Sequence, residues 1–171
     1  SIRLSRGVTL VELMIGLVII SVLLAAAGPS FNGMVGRNRM SAQVNDFILA
    51  IQTARSEASR MGSPVSIQAV GTDAENEFGE GYCVVVGNPG DCTGTLIRNF
   101  DAIAGASLNS IEDVTVVTFD SVGALSGTGG ASLQFDLCSE SVGGRRIFLT
   151  AIGRSKSHAP DDLDEDKRPG C

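Results

Sequence analysis

From Leu13 to Gly36 the chain carries no charge, and no other feature limits its fold as strongly. The 19 residues from Leu13 to Phe31 are about the length a helix needs to cross a hydrocarbon core. Arg3 and Arg6 precede the run. The bias of cytoplasmic segments toward basic residues therefore places the N-terminus in the cytoplasm and the remainder of the chain outside. One residue looks misplaced. Glu12 stands at the head of the apolar run, where an acid costs about 2–3 kcal/mol near a helix centre and less near its end.

A cleaved secretory signal peptide would explain part of this pattern. It has a basic start, an apolar stretch and Ala25-Ala26-Ala27 as a small-residue cleavage site. Three features oppose it: the apolar run is too long, Glu12 lies inside its start, and the helical pattern continues beyond the alanines. Met40, Val44, Phe47, Ile48, Ile51, Ala54, Ala58 and Met61 recur at three- and four-residue steps. One helix from about Thr9 to Met61 is expected, with a kink at Gly28-Pro29 and a stop at Gly62-Ser63-Pro64.

After Met61 the period shortens. Candidate strands are Pro64–Val70, Gly81–Gly87, Thr95–Phe100, Val114–Asp120, Ser132–Cys138 and Arg146–Ile152. Asn88-Pro89-Gly90-Asp91 is a turn between the second and third, and Gly127-Thr128-Gly129-Gly130 reads as a hairpin turn. The fold class is α+β: a long N-terminal helix, half membrane-embedded and half amphipathic, packed on antiparallel sheet. Four cysteines, Cys83, Cys92, Cys138 and Cys171, lie outside the apolar run and form no C-x-x-C pair. Behind an export segment two disulfides are expected, and zinc fits poorly. Of three connectivities, local spacing favours Cys83–Cys92 across the turn and Cys138–Cys171 holding down the tail.

Gly7-Val8-Thr9-Leu10-Val11-Glu12 resembles the leader-cleavage motif of type IV pilins and type II secretion pseudopilins. The resemblance implies that a prepilin peptidase cuts between Gly7 and Val8 and that Val8 is then methylated, although the family more often has phenylalanine or methionine there. Glu12 becomes the fifth mature residue, where the family places its glutamate, and Pro29 matches a proline common in these helices. The implied division is a leader over residues 1–7, a transmembrane and assembly helix over 8–36, and a periplasmic or extracellular domain over 37–171. Such a subunit sits once through the inner membrane and then passes into a fibre of other pilin or pseudopilin subunits. The carboxylate of Glu12 would be neutralised by the new ammonium of a neighbouring subunit. A desolvated pair of this kind is costly when one partner is missing, so it biases register.

A second resemblance runs along most of the chain. Ala54-Arg55-Ser56-Glu57-Ala58, Gly81-Tyr82-Cys83-Val84-Val85, Phe119-Asp120-Ser121-Val122-Gly123, Leu137-Cys138 and Gly153-Arg154 occur in that order. Together they are similar to the FimT/FimU/GspH group of minor pilins. The group implies a structural subunit, not an enzyme, that primes or joins a pilus fibre serving adhesion and twitching motility. A minor pseudopilin of type II secretion shares the same motifs.

Other candidate sites are weaker. No cofactor is expected, and His158, the one histidine, lies beyond the last expected strand, where it reads as a solvent-exposed loop residue. Gly127–Gly130 has no following lysine and does not make a phosphate loop. Asp73, Glu75, Glu77 and Glu80, and in the tail Asp161, Asp162, Asp164, Glu165 and Asp166, supply the hard oxygens calcium prefers. Neither cluster has the spacing of an EF-hand, and both read as solvated loops. Arg145, Arg146, Arg154 and Lys156 form a basic cluster. Gly153-Arg154-Ser155-Lys156 resembles the Gly-Arg-x-Arg motif of DNA-binding FimT-type pilins, with lysine in place of the second arginine. That resemblance implies DNA as an alternative partner, against a net charge of −6 and an acidic tail five residues on.

Overall fold

The computed structural model describes residues 7–73, 75–139, 142–159, 162–163, 169 and 171, the side chains of residues 24–32 excepted. The leader residues Arg3 and Arg6, the side chain of Pro29, and the tail acids Asp161, Asp164, Glu165 and Asp166 lie outside the described residues. The chain divides into two compact units, Ser1–Gly36 and Arg37–Cys171.

One helix, α1, covers Leu10–Met61, close to the expected bounds. It ends where Gly62 takes a φ of +63°, a left-handed position that stops a helix at little cost only for glycine. In the first unit its large side chains are bare: Leu10, Val18 and Leu23 are each more than three-fifths exposed. Among the described residues no helix is long and apolar enough to cross a membrane. The expected span reaches into residues 24–32, whose side chains are not described.

In the second unit the same helix becomes amphipathic. Met40, Val44, Phe47, Ala50, Ile51, Ala54 and Ala58 are buried, all on the stripe that a 3.6-residue period predicts. Among the described residues nine strands follow: β1 Val65–Ala69, β2 Tyr82–Val86, β3 Leu96–Phe100, β4 Ser107–Ser110, β5 Val116–Phe119, β6 Leu125–Ser126, β7 Leu133–Ser139, β8 Gly143–Leu149 and β9 Ser155–His158. They form two antiparallel sheets in the orders β3-β2-β1-β5-β6 and β4-β7-β8-β9. Phe47 is the joint between helix and both sheets. Its ring lies 5.3 Å from Tyr82 in β2, 5.4 Å from Phe78 and 4.9 Å from Phe135 in β7, all edge-on. Such geometry adds to area burial because ring edges meet ring faces.

Strand β1 is buried on both faces. Val65 and Ile67 enter the core, while Ser66 and Gln68 are covered on the far side. Ser66 bonds Thr118 Oγ1 at 2.9 Å, and Gln68 donates to Asn88 Oδ1 at 2.9 Å. Buried polar side chains need such partners. Asn88 comes from the loop after β2, which the Cys83–Cys92 disulfide holds near β1.

Three strands were not legible in the sequence. β4, β6 and β9 are short or polar, and they exist because a neighbour offers a ladder. β8 starts at Gly143, three residues before the expected Arg146. The expected hairpin at Gly127–Gly130 is instead a crossover, because β6 and β7 belong to different sheets.

Candidate functional site

The N-terminal site is built on the first turn of α1. Glu12 N–H donates to Thr9 Oγ1 at 3.2 Å, and Leu13 N–H to Thr9 O at 3.2 Å. Thr9 is thus the N-cap and Glu12 the third helical residue, the spacing of a capping box. The Thr9 cap was readable in the sequence as T-x-x-E and was missed. The carboxylate also sits at the positive end of the helix dipole. Val8 is 72% exposed and Glu12 is exposed. Cleavage after Gly7 would therefore place a new ammonium one residue before the cap, with the acid accessible to a neighbour.

Both disulfides have the favoured connectivity, Cys83–Cys92 and Cys138–Cys171. The second depends on a glycine. A Cβ on Gly144 would meet Cys171 Sγ at 2.1 Å and Pro169 Cβ at 3.1 Å. No side chain fits there, so the tail docks directly on the β8 backbone.

The four basic residues do not make one patch. Arg146 is buried, and its Nε and Nη2 donate to Asp136 Oδ1 and Oδ2, each at 2.7 Å. These hydrogen bonds hold the guanidinium pKa above its usual value. Arg145, on the opposite face of β8, is half-buried, while Arg154 and Lys156 are exposed. Strand alternation puts Arg145 and Arg146 on opposite faces of β8, whereas Lys156 shares the face of Arg146 and differs from it in lacking an acid directly opposite, the place that Asp136 of β7 holds for Arg146. His158 is on strand β9, not in a loop. It is half-buried, with its ring edge-on to Phe148 at 5.5 Å.

The first acidic cluster also separates. Asp73, Glu75 and Glu80 are exposed, but Glu77 is 2% exposed and accepts from Ser110 N–H at 3.0 Å. Among the described residues no group of three or more acidic, histidine or cysteine side chains is placed to hold a metal ion.

Three motif segments far apart in sequence do meet. Arg55 of α1 donates from Nε to Gly123 O at 3.1 Å. A Cβ on Gly153 would lie 2.5 Å from Gly123 O and 2.9 Å from Arg55 Cδ. Both glycines have positive φ, +80° and +74°. Leu125 N–H donates to Ala151 O at 2.8 Å, so the turn after β5 and the turn after β8 are locked together against the helix. The order of these motifs was visible in the sequence. Their convergence was not.

Comparison with known proteins follows the same outline. The Type II transport protein GspH family matches residues 43–153, and the Prokaryotic N-terminal methylation motif matches residues 2–28. The fold is similar to crystal structures of the type IV minor pilin FimU of Pseudomonas aeruginosa. In one crystal form the TM-score is 0.63 at 23% identity, covering 80% of this chain and 97% of that one. In a second form it is 0.60 at 23% identity, covering 76% and 97%. No curated protein matches the sequence.

Proposed function

We propose, from the premise that this chain belongs to the Type II transport protein GspH family, that it is a minor type IV pilin that enters a pilus fibre through its N-terminal helix. The family and the methylation motif make it a membrane-anchored structural subunit that associates with other pilin or pseudopilin subunits. The observation that carries the finer reading is the first unit itself. From Val8 to Leu23 the large apolar residues are each more than half exposed, behind a capped turn that presents one acid. Such a surface is unstable in water and is covered either by lipid or by other helices.

In this reading the prepilin peptidase cuts after Gly7, Val8 is methylated, and the subunit waits as a single pass in the inner membrane. On entry to the fibre, Glu12 pairs with the Val8 ammonium of a neighbour, which fixes axial register because an unpaired charge there is costly. The similarity to the minor pilin FimU supports a pilus. The family's own description supports the second reading, a type II secretion pseudopilin with the same chemistry. DNA capture is left with Arg154 and Lys156 as its two exposed cations from the basic cluster, too few for strong binding at physiological salt.

The deciding experiment is the intact mass of the membrane-extracted protein. It should correspond to a chain starting at Val8 with one added methyl group. A chain starting at Gly28 would mean ordinary signal-peptide cleavage and would end the pilin reading. Deleting the gene should then abolish surface fibres; loss of protein secretion with fibres intact would favour the pseudopilin.

A further inference from the structure

Among the described residues of the second unit, the two most exposed large apolar side chains are Val122, at 76%, and Ile152, at 60%. They sit on turns from different sheets, each just before one of the glycines locked at Arg55. Both tips are therefore held in place before any partner arrives, and little conformational entropy is lost when they are covered. Beside Ile152 opens a cavity of about 420 Å3. Phe148 and Ile152 give it apolar walls, His158 and the tail residue Leu163 also line it, and the exposed Arg154 and Lys156 contribute its positive charge.

We propose that this cavity and the two tips dock a segment of another fibre subunit, one that carries a large apolar side chain flanked by carboxylates. Charge complementarity sets the flanks, since Arg154 and Lys156 form no ion pair among the described residues. The apolar walls set the centre. The chain itself supplies an example, because Leu163, which lines the cavity, lies between Asp162 and Asp164 in the sequence. Duplex DNA is the poorer occupant. It would use two cations and leave Val122 and Ile152 without an apolar partner. A surface this small binds weakly alone and gains strength when the N-terminal helices already hold two subunits together. The fibre reading enters only as the source of the partner.

The test uses the full chain in detergent micelles and, as probe, a labelled peptide of residues 159–166 of this chain, Ala-Pro-Asp-Asp-Leu-Asp-Glu-Asp. Leu163→Ser in the protein, with Cys171 kept, removes the tail leucine that lines the cavity and that, under this proposal, competes in cis for the same place. The peptide should bind this variant at least about fivefold more tightly than the unaltered chain. Adding Ile152→Ser, or Arg154→Gln with Lys156→Gln, should weaken that binding about tenfold, as should serine for leucine in the peptide. No binding to the Leu163→Ser chain at millimolar peptide, or equal binding of the leucine and serine peptides, overturns the proposal. So does binding of duplex DNA in preference to the peptide. If the proposal fails in a protein whose mass still starts at Val8, the docking site is wrong and the fibre reading stands.

Discussion

The two units of this chain treat hydrophobic residues in opposite ways. Residues 7–23 expose nearly every large apolar side chain, whereas the globular unit buries Phe47, Phe78, Phe119 and Phe135 completely. Helix α1 runs through both, so helix propensity does not make the difference. What differs is the spacing of polar residues. After Gly36, Asn38, Arg39, Gln43, Asp46, Gln52 and Arg60 interrupt the apolar sequence and confine it to one stripe, and sheets form against that stripe. Before Gly36 apolar residues face every direction, and no single sheet can cover them. One unit thus covers its own apolar stripe, while the described side chains of the other leave their apolar surface bare.

This contrast breaks most sharply at Glu12. Glu12→Ala should abolish or strongly reduce incorporation into fibres while leaving the melting temperature of the globular unit unchanged. Normal fibre incorporation, scored by immunoblot of sheared fibres, would show that the acid serves the helix cap and not the register. The converse change is Phe47→Ala. It should cost about 3–5 kcal/mol of globular stability, measured by urea unfolding, yet leave membrane insertion intact.

A third variant probes the charge that the globular unit does bury. Asp136→Ala leaves the Arg146 guanidinium without its bidentate partner and should cost about 3–5 kcal/mol. Replacing both residues by apolar ones of similar size should recover much of that loss. If Asp136→Ala is nearly neutral, Arg146 reaches solvent and returns to the list of DNA contacts. The smallest effect concerns Tyr82. Burial first, then the nearby Asp46, raise its pKa well above the usual value, with Arg98 opposing. The folded state therefore holds the proton after the unfolded chain has begun to lose it. Stability from this source is complete below about pH 10 and falls as pH rises beyond it. Tyr82→Phe should flatten that alkaline limb, read as melting temperature between pH 9 and 11.

Much of the plan was legible because it rests on local rules. The end of α1 at Met61, the chain positions of β1, β2, β3, β5 and β7, and the disulfide pairing followed from period, turn residues and spacing. The edge strands Ser107–Ser110 and Ser155–His158 were not legible. Their polar sequences have weak strand preference and depend on a neighbouring ladder. Arg146 looked like Arg154 in sequence, and only the register that sets Asp136 of β7 opposite Arg146 separates a buried ion pair from a surface cation.

By itself, the sequence determined that the chain has a helix that is apolar in its first half and amphipathic in its second, and an α+β fold built on the second half. An uncharged run and a three-to-four-residue stripe act through nearest neighbours and need no partner to be read. Only the tertiary structure decided which motif residues stand together. Arg55, Gly123 and Gly153 are separated by long stretches of chain, and their contact depends on two turns from different sheets arriving at one helix face. Such an arrangement is set by the packing of the whole core around Phe47, which no local pattern encodes.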